Sequence, residues 1–375
     1  MNTTDHAVRM RTPSALWGLL IAVCLSLSLP VAAQPRPGGP PPGAGGPPPA
    51  DPPEPMVGSV VDSAGSAQAT WDVPAVYSRS IGPVSVLQVR PDTYLLTVGG
   101  QNVVVETGVQ ATVVVDTATS ESCQALVTAI KQIAQGPIRY VINTSGDADR
   151  LGCNAEVSQA GHAFSRSQEL GFAAPIIAQN NVVLRLIQAG AKLSPYAYPN
   201  SVFTRPIRNL YLNGQAIQSY WMPQAHTDGD SIVMFRRSDV VVAGNIFDET
   251  RFPVIDLAHG GSVDGELAAL DHLLDEFAVT PIPKFQSAGG TLVVPARGPL
   301  CLEADVLNYR DMINIIRQRV KAQVDRGVSL EKVEQSDIVA DYAPRYGAQS
   351  GSWTTNDFIA AVYRSLTAER SRQKH

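Results

Sequence analysis

Short runs of β-branched residues, each bounded by turn residues, dominate the chain from about position 83. Residues 84–89, 94–98, 102–106 and 111–116 are four such runs, separated by Pro91-Asp92, Gly99-Gly100 and Gly108. That is the punctuation expected between neighbouring strands. The period then changes. Cys123, Leu126, Val127, Ile130, Ile133 and Ala134 share one face of a helix predicted over 120–135, with Ser120 as N-cap and Gly136 as stop. On that face Cys123 reads as a small core residue. Tyr140-Val141-Ile142 reads as a buried strand, the polar loop 143–150 follows, and Asn154-Ala155-Glu156 begins another helix. A helical stretch over 180–191 precedes a second strand block at 209–212, 216–221, 231–235 and 240–243. A helix over 262–277 and a strand over 291–294 complete it. Val306, Tyr309, Ile313, Ile316 and Val320, and later Phe358, Ile359, Val362, Tyr363 and Leu366, recur at helical spacing. Strands then helices, twice over, predict two sheets packed face to face with helices outside.

Composition narrows the class. The chain has 375 residues, 44% hydrophobic and 17% charged, enough to bury a full core in one large domain or two small ones. Its net charge is −5, and no basic stripe interleaves with aromatics, so nucleic acid is excluded as a partner. Arg370, Arg372 and Lys374 read as a solvated helix end. Arg9 and Arg11 precede an apolar run over 15–29, and Val31-Ala32-Ala33 offers small residues for cleavage. Residues 1–33 therefore read as a signal peptide cleaved after Ala33; the run is short for a membrane span. The expectation is an exported protein, periplasmic or extracellular, with no membrane span after cleavage. Residues 34–70 are a linker, almost all Pro, Gly and Ala as far as Pro55. The main domain is expected over 75–300 and a helical C-terminal extension over 301–375. After cleavage Cys123, Cys153 and Cys301 remain. At most one disulfide can form, and spacing leaves the pairing open.

A strand, a polar loop and a helix in succession form a crevice where α/β proteins bind ligands. The stretch IRYVINTSGDADRLGC, residues 138–153, resembles the His-x-His-x-Asp-His metal signature of the metallo-β-lactamase superfamily, with the frame INT…GxAD…GxN retained. The resemblance extends over about 84–366. It implies a four-layer αββα sandwich and a hydrolytic site holding two zinc ions. It also implies seven metal-binding positions, which fall here on Ser145, Asp147, Asp149, Arg150, His226, Asn245 and Arg297. Asp149 and His226 keep the family residue. The others do not.

The replacements have consequences. A guanidinium has no lone pair to give a cation and stays protonated. By the resemblance Arg150 and Arg297 belong to the second metal position, where a guanidinium about 5 Å from a divalent ion would repel it by roughly 6 kcal/mol. The expectation is that the two arginines form an ion-pair network with Asp147 and Asp149, that no metal cofactor is needed, and that the pocket is non-hydrolytic. A rival reading keeps one divalent ion, manganese or magnesium, on Asp147, Asp149 and His226 with Ser145 and water. A divergent hydrolase would then use Asp149 and His226 as acid–base groups. Under either reading the arginines offer a place for a small anionic ligand; a protein partner is unspecified.

Other features read as scaffold. No Gly-x-Ser-x-Gly elbow occurs, so His259-Gly260-Gly261-Ser262 is a loop and N-cap, with His259 near the pocket lip. Asp116, at the end of a strand, is placed by the resemblance to orient the signature loop by hydrogen bonds; a strand-terminal turn residue is the equal alternative. Cys153 reads as a tolerated small residue, and His162 and His272 as surface histidines.

Overall fold

The computed structural model describes residues 78–278 and 290–372; the expected signal peptide and the linker over 34–70 lie outside the described residues. The first sheet has eight strands in chain order: β1 (Ser78–Ile81), β2 (Val84–Arg90), β3 (Thr93–Val98), β4 (Gln101–Thr107), β5 (Thr112–Val115), β6 (Ile138–Ile142), β7 (Ile176–Gln179) and β8 (Ser201–Phe203). β1 to β5 form an antiparallel meander, and β5 to β8 pair in parallel. Parallel neighbours need a crossover. Here α1 (Cys123–Ile133), the pair α2 (Ala148–Leu151) and α3 (Asn154–Ala160), and α4 (Asn180–Gln188) lie on those three connections.

The second sheet runs β13-β12-β11-β10-β9, made of β9 (Ile207–Leu212), β10 (Gln215–Met222), β11 (Asp230–Phe235), β12 (Val240–Gly244) and β13 (Leu292–Pro295). Only β13 joins in parallel, beside β12. α5 (Val263–Glu276) lies between β12 and β13 in sequence. α6 (Glu303–Asp325), α7 (Leu330–Glu334), α8 (Ala343–Tyr346) and α9 (Thr355–Arg372) follow.

Alternation within the central strands decides the layers. Successive strand residues point to opposite faces. Val103 and Val105 accordingly pack toward α1 and α3, while Val104 faces the other sheet. In β12, Val240 and Val242 face the first sheet and Val241 faces α5 and α6. Because both faces are covered, these strands read as unbroken apolar runs rather than as alternations. Each fully buried valine contributes about 1.5–3 kcal/mol of transfer free energy. Three apolar layers thus separate helices, sheet, sheet and helices: the αββα sandwich with a helical C-terminal part.

Several details differ from the sequence reading. α1 starts at Cys123, not Ser120, because Ser120–Ser122 form a 3-10 turn without a side-chain cap. Cys123 and Cys153 are not merely small packing residues: they form a disulfide with Cα atoms 5.0 Å apart. It ties α1 to the residue preceding α3. Cys301 is a buried free thiol. β1, β7 and β8 carry no clear period in the sequence, being only three or four residues long.

Candidate active site

The site forms where the C-terminal ends of β5 and β6 meet those of β12 and β13. Close backbone approach makes this junction possible. Gly244 has φ of 56°, and a Cβ there would lie 2.4 Å from Thr144 Oγ1. Glycine alone tolerates both conditions. Ser231 N donates to Thr144 O at 2.8 Å, and Asn102 Nδ2 donates to Pro295 O and Gly298 O at 3.0 Å each, so the two sheets are bolted around the cleft.

Asp116 takes the position beyond β5 with φ of 62°, an unusual conformation for a non-glycine residue that clusters at functional sites. Its carboxylate accepts from Thr144 N and Thr144 Oγ1 at 2.8 Å each, and so fixes the start of the signature loop. Asn143 and Asn154 are doubly hydrogen-bonded to each other at 2.9 Å, and Asn143 Nδ2 also donates to Arg150 O. These buried contacts hold the INT and GxN parts of the frame to each other on either side of the loop.

Arg150 is 1% exposed. Its guanidinium lies 3.6 Å from Asp116 and 3.2 Å from Asp149, and contacts the carbonyls of Asn102 and Ala296 at 3.4 Å. Arg297 Nη2 donates to the same Asp149 oxygen at 2.6 Å, and its Nε lies 3.5 Å from Asp248. Burial acts to raise the Asp149 pKa, but Arg150 and Arg297 outweigh it and hold the carboxyl down at about 2. For Asp116 burial wins, and its pKa rises to about 6 despite Arg150 and Thr144.

Asp147 does not join the arginines, contrary to the expected network. Its Oδ2 accepts from Ser145 Oγ at 2.7 Å and from Asn245 Nδ2 at 2.8 Å, and lies 3.6 Å from His226 Nδ1. Arg150 and Arg297 take Asp116 and Asp248 as their further partners, because those carboxylates end β5 and follow β12 beside them. His226 Nδ1 lies 3.2 Å from Asp230 Oδ1, whose other oxygen accepts from Thr227 N and Thr227 Oγ1. Burial disfavours the imidazolium, yet Asp230 and Asp147 raise its pKa to about 9. His226 is therefore a cation at neutral pH.

All seven positions named from the sequence gather here. Asp147, Asp149, His226, Asn245 and Arg297 line a cleft of about 470 Å³, with Trp353 on its wall; Ser145 and Arg150 lie buried beneath it. His259 is exposed and paired with Asp256, while Ser262 caps α5 as expected. Sequence reasoning missed Asp230, Asp248, Arg251 and Glu266. Asp230, within the histidine motif, was the one with a visible signal.

The donor chemistry does not fit the two zinc ions that the fold family implies. Zinc ligands must be deprotonated and free to donate. Asp149 is bridged by the guanidiniums of Arg150 and Arg297, and these two cations, which have no lone pair to give, stand at two of the positions where the family has metal ligands.

No protein-family model matches the chain, and comparison with curated proteins also finds no match. Solved structures do match. A metallo-β-lactamase from Pontibacter korlensis aligns at TM-score 0.46 and 15% identity, over 64% of this chain and 99% of its own. The stereoselective inverting sec-alkylsulfatase Pisa1 from Pseudomonas sp. aligns at TM-score 0.55 and 13% identity over 74% of this chain. A double mutant of Pisa1 gives 0.56 and 12% over the same share. The chain spans about half the length of the alkylsulfatase, 49%. The chain has the metallo-β-lactamase fold.

Proposed function

We propose that this is an exported, non-hydrolytic binding protein built on a metallo-β-lactamase fold, a pseudoenzyme whose inherited cleft is neutralised by side chains instead of metal. The single observation that carries this reading is the bridge of Asp149 by Arg150 and Arg297, at 3.2 and 2.6 Å. Two guanidiniums on one carboxylate oxygen neutralise its charge without a metal ion, and charge-assisted pairs of this kind are strong. The Cys123–Cys153 disulfide supports export, since such bonds persist in oxidising compartments. Among the described residues no helix is long and apolar enough to cross a membrane.

Elemental analysis of untagged protein tests the reading. Well under one equivalent of zinc or manganese is expected, with no turnover of β-lactams, esters or sulfate esters. The combined variant Ser145→His, Asp147→His, Arg150→His, Asn245→Asp and Arg297→His should gain metal uptake. Stoichiometric zinc in the wild-type chain would overturn the proposal. One observation favours a second reading: His226 and Asp147 face each other at 3.6 Å on the cleft wall, the geometry of a metal-independent acid–base pair. Hydrolysis lost in Asp147→Ala or His226→Gln, with no metal present, would establish that alternative.

A further inference from the structure

The carboxylates of the cleft are unequal in what they still offer. Asp149 is taken by Arg150 and Arg297. Asp248 is taken by Arg251 Nε at 2.8 Å and approached by Arg297 at 3.5 Å. Among the described residues no guanidinium lies within ion-pair distance of Asp147. It is 35% exposed on its side chain and held in place through one oxygen only, by Ser145 and Asn245. Its Oδ1 accepts no hydrogen bond among the described residues. His226, its nearest cation, is turned toward Asp230, the closer of its two partners.

The rest of the wall complements this. Trp353 lines the same cleft, anchored by its indole N–H to Pro253 O at 3.2 Å, and Val254 lies beside it. A rigid indole in the same cleft as a preset carboxylate attracts organic cations through its ring quadrupole as well as by apolar contact. An anion would have to compete with Asp149 and Asp248 for guanidiniums already engaged. An ammonium would meet Asp147 Oδ1, which no side chain among the described residues already engages.

We infer that the ligand of this cleft is a small organic cation, a primary ammonium joined to an aromatic or apolar group, with Asp147 as its counter-ion and Trp353 against its apolar part. This rests on the binding-protein reading above and names its ligand class. The ammonium would donate to Asp147 Oδ1 while the Ser145 and Asn245 hydrogen bonds keep the carboxylate from rotating.

Isothermal titration of the full exported chain with phenethylammonium, and with its charge-reversed counterpart 3-phenylpropionate, tests it without any substitution. Phenethylammonium should bind at least tenfold more tightly. Asp147→Asn should weaken the amine tenfold or more, Asp147→Glu should restore part of the loss, and Trp353→Leu should weaken it several-fold. Equal or tighter binding of the acid overturns the inference, as does amine affinity unchanged in a folded Asp147→Asn variant. Metal content is measured on the same samples. Absent zinc with no amine binding removes this inference alone, whereas stoichiometric zinc removes the reading beneath it.

Discussion

The two sides of the cleft neutralise their carboxylates by different means. On one, Asp149 lies between Arg150 and Arg297, with Asp116 and Asp248 completing the pairs. On the other, Asp147 and Asp230 flank a single imidazole, His226. A guanidinium keeps its charge at any pH a protein survives, whereas an imidazolium can be discharged. The arginine side should therefore carry rigidity, and the histidine side should respond to pH and to ligand.

The sharpest way to break that comparison is Arg150→Ala. It strands Asp116, 1% exposed, and leaves Asp149 with one partner. Removing one member of a buried pair costs about 3–5 kcal/mol, and urea unfolding should show a loss of that size. A loss below about 1 kcal/mol would mean that the arginine side is no more structural than a surface pair. Next in size is the disulfide, which closes a loop of 30 residues around the signature. The Cys123→Ser, Cys153→Ser double variant should lose about 2–4 kcal/mol, read as a lowered Tm that added thiol no longer changes.

Titration separates His226 from Asp149 by sign. His226 is raised to about 9 from 6.5, so its proton stabilises the fold. That contribution is complete below about pH 6.5 and is lost as pH rises through 9, a fall of about 2 kcal/mol between pH 7 and 10. His226→Gln should abolish this alkaline slope in denaturant titrations. Asp149 behaves oppositely. Held at about 2 against 3.8, it contributes above pH 4 and fails only as pH falls through about 2. An alkaline slope that survives His226→Gln would assign it to another group.

Much of this architecture was legible because buried strands leave a coarse trace. Val103-Val104-Val105 and Val113-Val114-Val115 are apolar whichever face they serve, so their runs are unmistakable. Ile176–Gln179 is as buried, but four residues between a loop and a helix show no period. In the site, the frame around Ser145, Asp147, Asp149 and Arg150 located the loop, and strand ends located Asn245 and Arg297. Which carboxylate faces which arginine was not legible. Asp116, Asp149, Asp248 and Arg297 are far apart in sequence and meet only once both sheets close. Pairing of Cys123 with Cys153 was hidden for the same reason: it depends on α1 packing beside α3.

The smallest expected effect probes what lies behind His226. Glu266, in the first turn of α5, is fully buried, and among the described residues neither carboxyl oxygen has a hydrogen-bond partner. Burial pushes its pKa well above 4.5; the charge of His226 opposes the shift and that of Asp230 adds to it. Folding above pH 4.5 then requires Glu266 to take up a proton, so its contribution grows less favourable as pH rises past that value. Glu266→Gln copies the neutral acid in shape. It should match the wild type near pH 4 and exceed it in stability near pH 8, compared by urea unfolding at both pH values. The alkaline slope from His226 should persist in this variant, because Asp230 and Asp147 remain. If Glu266→Gln were instead less stable at pH 8 and lost that slope, Glu266 would be ionised in the folded protein. The charge holding the histidine side together would then come from beneath α5 and not from the cleft.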